Sequence, residues 1–135
     1  MSKKLTEALA IDCLIAPQDV GTADVTSAAY VHVRDYKRFV IAAKAGAVTA
    51  GKILTVTPKQ ATSAAGAGAK ALGSASTAAG AGGNAPADVE IEFRAEELDH
   101  ENGFEYVGVT LGIDENAKLG AAYLIRGEPR YSPAA

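Results

Sequence analysis

The 135 residues suffice for one domain with a sizeable core, and a net charge of −3 from 13 bases and 16 acids lacks the electrostatic footprint of a nucleic-acid binder. A single cysteine, Cys13, excludes an intrachain disulfide and a multi-cysteine zinc site, and no run of about 18 apolar residues is present to span a bilayer. The apolar fraction of 48% is swollen by alanine, which brings little surface to bury, so a few segments of bulky residues must carry the core.

Residues 1–28 read as an N-terminal arm. Leu5, Ala8 and Leu9 lie at the spacing of a short amphipathic helix, Cys13, Leu14 and Ile15 continue as extended chain toward Pro17, and the rest is loop. The start has two lysines but no long apolar stretch before a small-residue cleavage site, so synthesis as a soluble protein in the cytoplasm is expected. Among Ile11, Leu14 and Ile15, Cys13 is expected to be a small buried hydrophobe.

A β domain is expected over residues 29–126. Val31 and Val33 alternate with Tyr30, His32 and Arg34, and Asp35-Tyr36-Lys37 would connect this strand in a hairpin to a second one at Arg38–Ala43, with Phe39 and Ile41 facing inward. Two glycines punctuate residues 45–51, after which Lys52–Thr57 reads as a strand stopped by Pro58. Residues 60–87 hold six of the fourteen glycines and one bulky side chain, Leu72, which predicts a long loop with at most a short strand near Lys70–Gly73.

Asp88–Ile113 carries the cleanest period. Val89, Ile91 and Phe93 alternate with Glu90, Glu92 and Arg94, as in a strand with one wet face. Asn102-Gly103 supplies the reversal, and Tyr106, Val107 and Val109 belong to what reads as the partner strand. A last strand is expected with Leu119, Ala121, Tyr123 and Ile125 in alternation, followed by an extended tail over 127–135 that contains two closely spaced prolines. The expected core is thus Val31, Val33, Phe39, Ile41, Val89, Ile91, Phe93, Tyr106, Val107 and Val109, in a single antiparallel β-sandwich or barrel-like domain with at most short helices.

Chemistry is harder to find. GAGAKA and GAGGNA fit a loose dinucleotide fingerprint, but neither follows a hydrophobic strand nor opens a helix, and Lys70 is not in a P-loop context. Glu96 and His100 have the i, i+4 spacing of a ligand pair, yet with Glu97, Asp99 and Glu101 they read as a solvated acidic turn. Cys13 with His32 or His100 has no local signature of a nucleophile and its base. No catalytic residue, metal or cofactor is expected, and the chain reads as a non-enzyme.

The segments DYKRFVIAAKAGAVTAGKILTVTPKQATSAAGAGAKALG, AEELDHENGFEYVGVTLGI and PRYSPA together resemble a group of small virion structural proteins of tailed bacteriophages. The shared features are Asp35-Tyr36 near the first hairpin, a G-A-x-x-x-G connection at Gly46–Gly51, Gln60-Ala61-Thr62 before a Gly/Ala/Lys stretch, L-D-x-x-x-G-F-x-Y-V at Leu98–Val107, and R-Y-x-P at Arg130–Pro133. The extra alanine and glycine between Gly73 and Asp88 depart from that pattern. The resemblance implies a capsid decoration or cement protein on the head surface, a virion location, and the major capsid protein and further copies of this chain, as trimers for instance, as partners. Neither nucleic acid nor a membrane is implied as a partner. A tail or head–tail joining component is the nearest rival. A free-standing β-sandwich binding module, using the loop-adjacent Tyr30, Tyr36 and Tyr131, is the alternative of another class. The candidate subunit contacts are Leu5 and Leu9 in the arm, Leu72 in the loop, and Arg130 and Tyr131 in the tail.

Overall fold

The computed structural model describes residues 9–33, 35–83 and 85–129, with side chains as far as residue 127. Ten strands follow in order: β1 (Leu9–Asp19), β2 (Val25–Thr26), β3 (Val31–His32), β4 (Tyr36–Ala47), β5 (Ile53–Ala61), β6 (Lys70–Ala71), β7 (Ser76–Ala79), β8 (Pro86–Arg94), β9 (Tyr106–Ile113) and β10 (Leu119–Pro129). Two short 3-10 turns, Ala95–Glu97 and His100–Asn102, lie between β8 and β9. The strands form two antiparallel sheets, as expected of a β-sandwich. One has the order β1-β10-β4-β8, and in the other β5 pairs β9, β6 and β7 while β9 also pairs β2 and β3.

The core lies between the sheets. Ladder rows Phe39–Phe93, Leu124–Ile41–Ile91 and Ala122–Ala43–Val89 come from the first sheet. Leu54–Ile113, Val56–Leu111 and Pro58–Val109 come from the second. Phe39, Ile41, Leu54, Val56, Val107, Val109, Leu111 and Leu124 are fully buried. Of the expected core, Val33, Val89 and Phe93 are buried as well, while Val31 and Ile91 are half-buried and pack against the cluster. Tyr106 is a correction: it lies half-buried outside the cluster, its ring edge-on to His32 at 5.0 Å, because the odd-numbered residues of β9 take the inner face.

Both expected hairpins are also corrected. β3 joins β9 in one sheet while β4 enters the other, and β8 pairs β4 rather than β9. No two strands of the four-stranded sheet are consecutive in the chain. The acidic turn therefore carries the chain from one sheet to the opposite one. Gly103 closes it in the left-handed conformation at φ 82°, with its N–H donated to the His100 carbonyl.

Residues 9–28 are not an arm. β1 is paired along β10, and Leu14, Ile15 and Val20 are buried in the core. A register shift between Cys13 and Ile15 lets consecutive Leu14 and Ile15 both turn inward, which defeats a period-two or helical reading. Cys13 is exposed rather than buried, since it precedes that bulge on the outer face opposite Tyr123. At the other end β10 continues through residues 127–129, so the tail does not begin at 127. The alternation expected for β10 has the wrong phase: Ala122 and Leu124 face the core, whereas Leu119 is 58% exposed.

Pro58 does not stop β5. Its carbonyl accepts the Leu72 N–H, so its nitrogen faces the same edge, in the gap where β5 changes partner from β7 to β6 and no donor is required. The small-residue segment is pinned along that edge. Its first turn lies on the buried ring of Tyr30, whose N–H donates to the Ala64 carbonyl, and a side chain at Gly66 would meet that ring at 2.9 Å. The same ring, with Ser27, covers Gly108 on β9, where a Cβ would lie 2.5 Å from Ser27 Oγ and 2.6 Å from Tyr30 Cε2.

Candidate interaction surface

The outer face of the four-stranded sheet is divided by composition. On β1 and β10 it presents Leu9, Ile11, Cys13, Leu119, Tyr123 and Ile125, with Asp19 beside Leu119 as the one charge; on β4 and β8 it presents Arg38, Val40, Lys44, Asp88, Glu90, Glu92 and Arg94. The placement follows from the ladders, in which Ile11, Ile125, Val40 and Glu92 form one row and Cys13, Tyr123, Ala42 and Glu90 the next. Among the described residues, Ile11 and Leu119 are the large hydrophobic residues left most open, at 67% and 58% exposure, and they sit on β1 and β10. Ile11, with Leu9, Ile125 and Val40 beside it, forms an apolar cluster on this face, the usual mark of a contact surface.

A cleft of about 300 Å³ lies where the two halves meet, lined by Leu9, Val40, Ile125 and Gly127, by Phe39, and by Arg38 and Glu92. Arg38 and Glu92 approach to 3.5 Å across the β4–β8 ladder, and Lys44 and Asp88 do the same six residues further along β4. These exposed pairs set the charge pattern of the face and add little stability.

A polar network closes one end of the sandwich. Arg126, on β10, binds the Asp12 carboxylate of β1 at 2.9 Å, donates to the His32 carbonyl of β3 at 2.9 Å, and stacks on the Tyr36 ring at 4.8 Å. His32 in turn meets Glu105 at 3.2 Å. This ties strands of both sheets together through one guanidinium.

The acidic turn is engaged in structure. Asp99 accepts from Lys70 at 2.6 Å and from Asn102 at 2.8 Å, and these bonds hold its carboxyl below the ordinary range. Its N–H donates to Gln60, and Lys70 lies 4.3 Å from the Phe104 ring, so the turn clamps the small-residue segment. His100 binds the Ala95 carbonyl at 2.6 Å, and Glu97 accepts the Arg94 N–H. No group of three or more metal-ligating side chains converges among the described residues. Gly66 and Gly68 precede the short β6 and not a helix, so they form no phosphate cradle.

Of the candidate contact residues, Leu9 lines the cleft. Leu72 is a correction: it is 2% exposed and fills the core beside β5, its N–H held by Pro58. Leu5, Arg130 and Tyr131 fall outside the described residues. The sequence reading missed Ile11 and Leu119. Their signal was apolar side chains on both faces of one strand, which cannot all be buried.

No family model matches the chain, and no curated protein is significantly similar to it. Solved structures share its fold. VP2 of infectious bursal disease virus, in a subviral particle, superposes with a TM-score of 0.55 at 8% identity over 93% of this chain and 33% of that one. A mutant VP2 of the same virus, in derived T=1 particles, gives 0.52 at 7% identity over 93% of this chain and 32% of that one. The chain thus spans about a third of the length of the VP2 chains it matches, and the likeness is one of fold.

Proposed function

We propose that the chain is a virion structural protein, specifically a decoration or cement protein on the outer surface of a tailed-bacteriophage head, with the major capsid protein and copies of itself as partners. The observation that carries this reading is the half-apolar outer sheet face, on which Ile11 lies open opposite Ile125 at the cleft and Leu119 lies open six residues away along β10. The motif resemblance supplies the kind of particle, and a rigid two-sheet scaffold with an uncovered apolar face suits a subunit that works by contact. The proposal includes no catalytic role.

Co-sedimentation with heads assembled from the major capsid protein of its phage tests the reading. The wild-type chain is expected to pellet with heads and raise their melting temperature, and Val40→Asp or Leu119→Asp to weaken binding at least about tenfold. Absence of the chain from the pellet, or its capture by purified tails instead, overturns it.

A further inference from the structure

We propose that β1 is a pairing edge for a second copy of this chain, joined antiparallel about a twofold axis that passes beside Ile11. β1 is the terminal strand of its sheet, so one side of its backbone is not paired by any described strand. Such an edge is a template for strand addition unless it is blocked. From Leu9 to Cys13 the β1–β10 ladder is regular; beyond Cys13 two register shifts and Pro17 bend the strand and remove a donor. The usable edge is therefore five residues long, and its midpoint is Ile11.

Three features favour another copy over a different strand. In the register centred on Ile11, Ile11 faces its own counterpart and Leu9 faces Cys13 of the second copy, so every outward pair is apolar. The only charge on the segment, Asp12, points inward and is neutralised by Arg126 at 2.9 Å, so two copies meet without like-charge repulsion. The charged half of the face lies on β4 and β8, away from the junction, and the two apolar halves become one continuous surface. The opposite edge, β8, presents Asp88, Glu90 and Glu92 on its outer face and would oppose acid to acid in the same arrangement. Pairing through β1 alone closes as a dimer.

The proposal deepens the structural reading given above by naming a contact between copies, but it uses the sheet edge, whereas head binding is tested at Val40 and Leu119. Either can fail without the other. The test is oxidative cross-linking of the purified full-length chain. In the proposed register the two Ile11 positions are directly opposite, within disulfide reach, while the two Cys13 positions are about 13 Å apart along the strand. The double variant Ile11→Cys with Cys13→Ser is expected to form a cross-linked dimer as the main product, and the wild-type chain, which has Cys13 alone, to form at least about fivefold less. Leu9→Cys in the wild-type background is expected to give a dimer joined by two disulfides. Cross-linking of the Ile11→Cys variant no greater than that of a Leu119→Cys, Cys13→Ser control overturns the proposal. So does wild-type cross-linking through Cys13 as complete as through position 11, which would place the axis elsewhere.

Discussion

The guanidinium of Arg126 and the carboxylate of Asp12 meet at 2.9 Å on the inner side of β1 and β10, where each is mostly shielded from water. The same Arg126 holds the His32 carbonyl and lies on the Tyr36 ring, so it fastens β1 and β3 from opposite sheets. Removing one partner of a shielded pair leaves the other charge stranded. Arg126→Met is expected to lower stability by about 2–3 kcal/mol, read from the urea midpoint. The double change Arg126→Met with Asp12→Leu is expected to recover part of that loss, because no unpaired charge remains.

Phe93 stacks on Phe39 across the β4–β8 ladder, with centroids 5.4 Å apart and planes inclined by 27°. Both rings are buried, and Phe93→Ala is expected to cost about 3–5 kcal/mol in a thermal or denaturant melt. His100→Ala removes one bond to the Ala95 carbonyl on an exposed turn and is expected to cost no more than about 1 kcal/mol. The ranking of the two variants separates a core ring from a turn residue.

Gly108 is required by its neighbours and not by its backbone torsion. Gly108→Ala would push a methyl group into Ser27 and the Tyr30 ring, and an overpacked site of this kind is expected to lose about 1–3 kcal/mol. Combining it with Tyr30→Ala is expected to give less than the sum of the two single losses, because the part of the clash made with the ring is then relieved. A double-mutant cycle on equilibrium unfolding measures that shortfall.

Acid is expected to weaken the fold through Asp99. Its carboxyl is held below the ordinary range chiefly by the Lys70 bond and then by Asn102, so the folded state binds its proton less readily than the unfolded chain. The stability this contributes is present above the ordinary carboxylate range and is lost as pH falls through the lowered folded value. Glu115, bonded to Thr49, and Asp19, bonded to Thr22, shift in the same direction. Asp99→Asn is expected to flatten the dependence of the urea midpoint on pH between about 6 and about 3, compared with the wild-type chain.

Much of the β character was legible in the chain. Val89, Ile91 and Phe93 against Glu90, Glu92 and Arg94 mark a strand with one wet face, and Asn102-Gly103 marks the turn end that the left-handed Gly103 then supplies. Alternation reports that one face is buried, but it carries no information about which sheet provides the cover. Strands adjacent in sequence were therefore read as hairpins, whereas β3 and β4, and β8 and β9, part into opposite sheets. Contrast between faces also matters. In β10 alanine and leucine face inward while leucine, tyrosine and isoleucine face outward, so hydropathy alone gives no phase and the candidate surface stayed hidden. Leu72 and Pro58 make the same point from the other side. A lone leucine among alanines and a proline within a β run acquire their roles only where the gap between β6 and β7 brings the Leu72 N–H to the Pro58 carbonyl. Local composition determined that this chain forms strands; long-range pairing, which no local period encodes, decided which strands meet and which face is left open.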